Sequence, residues 1–343
     1  MELRFAFIGF GNVARAFARM LHANRGRFQG PSFPQWQTTA IATASHGCVI
    51  SGPAGIDPNQ AADVCLKGGS LLELPGTSDA GDATSLIERC EADVIFETTP
   101  LNPEDGEPAT GHIRSALNRG INVVTANKGP LAFAYNELQE LAARQRVSFR
   151  FEGAVMDGTP IFNMVEHCLP AVRVLGFEGV LNSTTNHILT GMESGRSFDE
   201  CLSEAQRLGI AEANADYDID GWDAAVKAVA LANVLMRADK HPGHVDRRGI
   251  RDITAAQLKA AADKDSAIRL VARADASSHG LTLRVAPESV SRSSPLGATK
   301  GRSNVLVLRT DLMGEIAIFE IDPGVEQTAY ALLSDLMSIQ RTI

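Results

Sequence analysis

Short apolar runs alternate with amphipathic, alanine-rich stretches through the first 150 residues of the chain. The runs Leu3–Ile8, Thr38–Ala42, Asp93–Phe96, Asn122–Thr125 and Val147–Phe151 have strand length and stay largely apolar on successive residues. Strands of that kind are buried on both faces. Between them, Val13–Ala23, Pro58–Leu66, Ala83–Cys90, Pro108–Asn118 and Pro130–Arg144 read as helices. The alternation predicts a parallel sheet with helices on both faces. Gly47–Pro58 and Pro100–Pro108 interrupt it as polar excursions of the kind that often carry function.

From Phe151 the pattern changes. A turn, Glu152-Gly153-Ala154-Val155-Met156-Asp157-Gly158-Thr159-Pro160, leads into an expected helix at Ile161–Cys168. A strand is expected at Val172–Leu181, then helices at Asn186–Glu193, Phe198–Leu208 and Trp222–Ala238. Leu281–Val285 and the hairpin-like pair Val305–Thr310 and Ile316–Ile321 suggest more sheet, before a last helix at Gln327–Ser338. With 343 residues and no linker between the two patterns, two interlocked domains sharing a cleft are expected.

Composition narrows the class. The chain is 44% hydrophobic and 21% charged, as globular enzymes are. Its net charge of -9, without a dense Lys/Arg run, argues against nucleic acid as a partner. Cys48, Cys65, Cys90, Cys168 and Cys201 are odd in number and form no C-x-x-C pair, so buried free thiols are expected. The N-terminus enters a strand-like run at once, and the apolar stretch Ala228–Met236 is too short to span a bilayer. A cytoplasmic protein without membrane partners is the expectation.

Chemistry enters with Gly9-Phe10-Gly11-Asn12-Val13-Ala14, a G-x-G-x-x-A that follows the first strand and opens a helix. Gly9 permits the tight turn, Gly11 lets a pyrophosphate approach the backbone, and Ala14 permits close helix packing. The helix N-terminus supplies free N–H donors. Any tight βα turn can produce such glycines, but this one starts the βαβ series. The fold expected is therefore α/β, a Rossmann-type doubly wound parallel sheet with a second α+β domain. The second strand ends Ala42-Thr43-Ala44-Ser45-His46-Gly47, with no acid to grip a ribose hydroxyl, which tilts the cofactor from NAD slightly toward NADP.

A second cluster lies in Glu204–Lys227, where Glu212, Asp216, Asp218, Asp220 and Asp223 crowd together. A solvated acidic loop capping a helix is the bland reading, and a calcium loop is disfavoured because its last ligand is missing. Asp223 and Lys227 are four apart on one helix, the spacing of an ordinary surface ion pair. Lys227 is flanked by Ala225, Val226, Ala228 and Val229, though, an apolar setting in which a lysine can exchange protons with a hydroxyl. Lys128, in Thr125-Ala126-Asn127-Lys128-Gly129-Pro130, follows a strand at the sheet's carboxyl edge, where ligands bind in open α/β folds.

Together these segments resemble homoserine dehydrogenase. The resemblance runs through Gly9–Ala14, Val123–Lys128, Gly158–Ile161, Leu181–Leu189, Glu204–Lys227 and Gly249–Thr254, and more loosely through Ser294–Leu336. It implies that Lys227 is the acid–base lysine and Lys128 the second lysine near the reacting carbonyl. Glu212, Asp218, Asp223 and Thr184 would bind substrate, and Gly9, Gly11, Asn12, Val13, Thr99 and Lys128 the cofactor. A monovalent-cation site would use Glu152, Val155, Asp157 and Thr159. The implied organisation is a nucleotide domain (1–150), a substrate and dimerisation domain (151–300), and a C-terminal segment (301–343) packing back on the first. A homodimer is implied, of the short form without a regulatory or kinase domain.

The chain departs from the family pattern at Ser183 and His187, at Met156-Asp157-Gly158, at Asn214-Ala215, and at Glu320–Gly324. The reaction implied is NAD(P)-dependent interconversion of L-homoserine and L-aspartate 4-semialdehyde. The departures keep open a same-fold dehydrogenase acting on another small hydroxy acid or amino alcohol. More distant is an NAD(P)-sensing protein without turnover.

Overall fold

A computed structural model describes residues 2–28, 35–278 and 280–340, which form two compact units. The first comprises residues 1–130, 134–160 and 324–343, and the second residues 131–133 and 161–323.

In the first unit, in chain order, are β1 (Glu2–Ile8), α1 (Asn12–Ala23), β2 (Gln35–Ala42), β3 (Cys48–Ser51), α2 (Pro58–Leu66) and β4 (Thr77–Asp79). Then come α3 (Ala83–Arg89), β5 (Val94–Glu97), α4 (Ala109–Asn118), β6 (Asn122–Thr125), α5 (Gly129–Phe133), α6 (Tyr135–Gln145) and β7 (Phe149–Arg150). The sheet order is β4-β3-β2-β1-β5-β6-β7, parallel from β2 through β7. β1 lies between β2 and β5, so the connections leave it in opposite directions, and the crevice at its carboxyl end is where such sheets bind ligands.

The core is aromatic where the sheet is central: Phe5, Phe7, Phe17 and Phe96 are fully buried, and the Phe96 ring contacts each of the other three.

Two parts of this unit differ from expectation. The excursion after β2 contains β3, and β4 follows it, both antiparallel. The few residues between Ala42 and Cys48 can close a hairpin but cannot hold the crossover a parallel partner needs. The expected helix over 130–144 is two helices, broken at Ala134 with φ -146°.

The second unit holds α7 (Phe162–Cys168), β8 (Val174–Val180), α8 (Ser183–Glu193), α9 (Phe198–Arg207), α10 (Asp216–Ile219) and α11 (Trp222–Leu235). It continues with β9 (Asp246–Arg247), α12 (Ala255–Ala262), β10 (Ser266–Ser277), β11 (Gly280–Ser291), α13 (Pro295–Ala298), β12 (Asn304–Thr310) and β13 (Glu315–Glu320). The sheet order is β13-β12-β8-β10-β11-β9, antiparallel except between β11 and β9. The long hairpin β10–β11 and the helix α12 lie where the apolar pattern gave only the fragment Leu281–Val285.

The chain then returns to the first unit as α14 (Val325–Gln340), which lies against α1 and sends Leu332, Leu336 and Ile339 into that unit's core. Four cysteines are buried free thiols, while Cys168 is exposed, a correction to the expectation that all are buried. Among the described residues no helix is long and apolar enough to cross a membrane.

Candidate functional site

In the first unit the turn after β1 is shaped by backbone demands. The Gly9 amide donates to the Ala42 carbonyl at 3.0 Å, with Gly9 at φ +82°, a region that disfavours side chains. A Cβ there would also meet the Thr99 amide nitrogen at 2.7 Å and the Thr98 carbonyl carbon at 2.8 Å. Gly11 is the opposite case: a Cβ on it would meet nothing within 4 Å. It stands at the N-cap of α1 with no side-chain cap, so the helix N-terminus faces open space. Asn12 is exposed and accepts from Arg15 Nη2 at 2.9 Å, while Val13 packs at the core margin. This is a turn that a pyrophosphate can approach and that offers amide donors.

Thr99 and Lys128 sit on the loops after β5 and β6. The two loops are tied by Asn127, whose side-chain amide donates to the Thr99 carbonyl at 3.0 Å and the Pro100 carbonyl at 3.3 Å. Beneath them the buried Glu97 carboxyl accepts from the Thr99 amide at 3.0 Å, from the Thr99 hydroxyl, and from the Thr125 hydroxyl at 2.8 Å. Burial pushes Glu97 up to about 7, against the three hydrogen bonds that favour its charge.

The segment Glu152–Thr159 is also in this unit. Glu152 is buried and its amide donates to Asp335 at 2.7 Å. Asp157, at φ +43°, accepts from the Thr328 hydroxyl at 2.9 Å. The Thr159 amide donates to the Met156 carbonyl at 2.8 Å, and Val155 is buried. These oxygens are hard donors of the kind alkali cations take, although one Asp157 oxygen is engaged by Thr328.

In the second unit, chain reversal at Leu181-Asn182 between β8 and α8 brings α8, α10 and α11 around one amide. Asn182 caps α8 through Oδ1, which accepts from the Thr185 amide at 2.8 Å. Its Nδ2 donates to Asp218 at 2.7 Å and to Asp223 at 2.9 Å. Lys227 Nζ lies 3.1 Å from the Asp223 carboxylate and donates to the Leu181 carbonyl at 2.7 Å. The Lys227 and Asp223 side chains are only 16% and 10% exposed, so the reading as a surface ion pair is corrected. Burial, and next the Asp223 charge, raise Asp218 above the ordinary carboxylate range.

Thr184 is buried beside this cluster, its hydroxyl donating to the Ile210 carbonyl at 3.1 Å. Glu212 is exposed and, among the described residues, its side chain forms no hydrogen bond or ion pair with the cluster. Asp216 and Asp220 turn away to Arg251, at 2.6 and 3.1 Å, so the acidic loop is divided between a buried pair and an arginine clamp. Gly249 makes that clamp: its Cβ would strike the Ile219 carbonyl at 2.2 Å, and only a bare backbone fits there. Ser183 accepts from the Asn304 amide at 3.1 Å, which also donates to Glu320 at 2.7 Å; two departures from the family pattern are thus linked. His187 Nε2 lies 3.3 Å from the Glu204 carboxylate.

Sequence reading missed three residues. Asn182 bridges acids some 40 residues away, and only its place before a helix hinted at a cap. Glu97 had a legible signal, an acid ending an apolar strand. Tyr217 carries a buried hydroxyl with no hydrogen-bond partner among the described residues, and burial together with Asp223 and Asp218 raises it above the ordinary phenol range.

A parallel-rich sheet with a glycine turn at its switch point in one unit, and a buried lysine–carboxylate cluster in the other, define a dinucleotide-binding oxidoreductase. A family profile described as homoserine dehydrogenase, NAD binding domain, matches residues 9–152, and one described as homoserine dehydrogenase matches residues 160–337. The chain belongs to the homoserine dehydrogenase family.

It is 35% identical to an NAD(+)-dependent homoserine dehydrogenase of Pseudomonas canavaninivorans, over 99% of this chain and 97% of that one. It is 37% identical to a homoserine dehydrogenase of Methanocaldococcus jannaschii, over 97% of each. A solved hyperthermophilic archaeal homoserine dehydrogenase in complex with NADPH superposes with a TM-score of 0.84 at 29% identity, covering 100% of this chain and 99% of that one.

Proposed function

We propose that this chain interconverts L-homoserine and L-aspartate 4-semialdehyde with a nicotinamide dinucleotide. The observation that carries the reading is the buried Lys227–Asp223 pair, fixed by Asn182 and the Leu181 carbonyl, in a chain of this family. The Gly9–Gly11 turn, Asn12, Val13 and Thr99 would hold the dinucleotide, which supplies or takes the hydride when bound. Lys227 gives its proton to the carbonyl oxygen of the aldehyde in reduction and takes it back in oxidation. Lys128 offsets the charge that develops on that oxygen. Asp218, Asp223 and Glu212 hold the substrate ammonium, and Thr184 fixes the adjoining backbone.

NADP is the preferred cofactor in this reading, since the turn from Thr43 to Gly47 carries no carboxylate to repel a 2′-phosphate. Steady-state assay with homoserine and each of NAD and NADP tests both statements. Absence of turnover with either, alongside turnover of another amino alcohol, would move the substrate.

A potassium or sodium ion at the carbonyls of Glu152, Val155, Asp157 and Thr159 is part of the reading. Replacing both ions by a bulky organic cation should then lower activity. A homodimer is proposed too: the edge strand β13 and its turn expose Phe319, Leu312 and Met313, with Ile321 just beyond, an apolar edge that water disfavours. Sedimentation equilibrium at the mass of one chain would remove it.

A further inference from the structure

Glu97 joins three segments of the first unit. Its carboxyl binds the amide and hydroxyl of Thr99 after β5 and the hydroxyl of Thr125 at the end of β6. Thr125 in turn accepts from the Asn127 amide at 3.0 Å, and Asn127 Oδ1 accepts from the Gly129 amide at 2.9 Å, so Lys128 is bracketed on both sides. On the other flank the peptide between Thr98 and Thr99 lies against Gly9, and the Thr98 hydroxyl donates to the Gly9 carbonyl at 2.7 Å. The turn after β1 and the loops after β5 and β6 therefore hang on one carboxyl.

Among the described residues no cation is within ion-pair distance of Glu97. Burying a carboxylate without a counter-charge is costly, and a glutamine would fill the same space without that cost. Packing alone does not call for an ionisable group there.

We propose that Glu97 is a positioning residue for cofactor binding: its ionised carboxyl, accepting three hydrogen bonds at once, locks the Gly9 turn, Thr99 and the Asn127–Lys128 loop into the form that receives the dinucleotide. The proposal rests on the nicotinamide-cofactor reading above. Protonation turns one carboxyl oxygen into a donor, and a threonine hydroxyl then loses its acceptor. With the group held at about 7 by burial, both forms exist near neutrality. Its register partners on the neighbouring strands are Ile8 of β1 and Thr125 of β6. The elements packed against β5 and β6 carry Arg4 on β1, His112 and Arg114 on α4, Glu152 after β7 and Asp335 on α14, with Lys128 following β6, and none contributes to its shift, which burial and the two threonines set.

The test is equilibrium titration of wild type and Glu97→Gln, without substrate, with NADH and with NADPH, read by nucleotide fluorescence between pH 6 and 8.5. The ratio of variant to wild-type Kd cancels the titration of the ligand's own phosphate. That ratio is expected near one at pH 6 and to rise by about tenfold or more at pH 8.5, the scale of one hydrogen bond to a charged group. A ratio that stays flat, or falls as pH rises, overturns the proposal. Thr125→Val, which cuts only the β6 arm, is expected to lower kcat with homoserine more than it raises cofactor Kd; the reverse order would also overturn it. A wild-type protein that binds neither nucleotide would instead sink the cofactor reading itself.

Discussion

Asp223 and Lys227 meet at 3.1 Å, one helical turn apart, with both side chains nearly out of solvent. At a surface the same spacing is worth a few tenths of a kcal/mol. Here the ammonium is held by a carboxylate and by the Leu181 carbonyl, so its direction is fixed before substrate arrives.

Lys227→Met should reduce kcat for homoserine oxidation by roughly 10²–10⁴-fold, the usual contribution of a positioned proton-transfer group. Because the lysine must start neutral to accept the hydroxyl proton, the wild-type oxidation rate should climb toward alkaline pH. Initial rates across pH check both points. Near-wild-type turnover in the variant would remove Lys227 from the mechanism.

Asn182→Asp keeps the α8 cap but replaces the shared donor by a third carboxylate facing Asp218 and Asp223. Loss of a buried donor between acids should cost about 1–3 kcal/mol of stability. A raised KM for homoserine should accompany it. Thermal melts and steady-state kinetics report the two effects, and a variant unchanged in both would show that the amide is dispensable.

Gly9→Ala and Gly11→Ala should fail differently. Alanine at Gly9 meets the Thr98–Thr99 peptide below 3 Å at a positive φ, so lower Tm and poor yield are expected. Alanine at Gly11 meets no protein atom, so Tm should hold while NAD(P)H affinity drops, because the methyl occupies the space of the pyrophosphate. Equal affinity for both Gly11 forms would place the phosphates elsewhere.

Glu97→Gln should change stability in a pH-dependent way. Burial raises Glu97 in the folded protein from about 4.5 to about 7, so the folded state binds its proton more tightly than the unfolded chain. The stability this proton gives is complete below the unfolded value and is lost as pH rises through about 7. Above that, wild type carries a penalty on the order of 3 kcal/mol that glutamine lacks. The variant should therefore melt higher than wild type at pH 8.5, with the gap closing toward pH 5. A pH-independent gap would show that Glu97 does not titrate in this range.

The local pattern alone was enough for some features. Continuous apolar runs placed β1, β5 and β6 within a residue or two, and the glycine spacing marked the turn after β1, because burial on both faces and backbone strain are properties of a few adjacent residues. The four-residue step from Asp223 to Lys227 likewise put both on one helix face.

What tertiary structure alone decided depends on partners far along the chain. Ala134 breaks the expected helix while Phe133 meets His241 edge to face at 4.7 Å and the Leu131 carbonyl takes the Asn233 amide, contacts no periodicity encodes. The desolvation of Lys227, the amide of Asn182 between two acids, and the burial of Glu97 under two loops each set a charge state through distant neighbours. A sequence shows which groups can ionise, but the energy of ionising them is fixed by what the fold places around them.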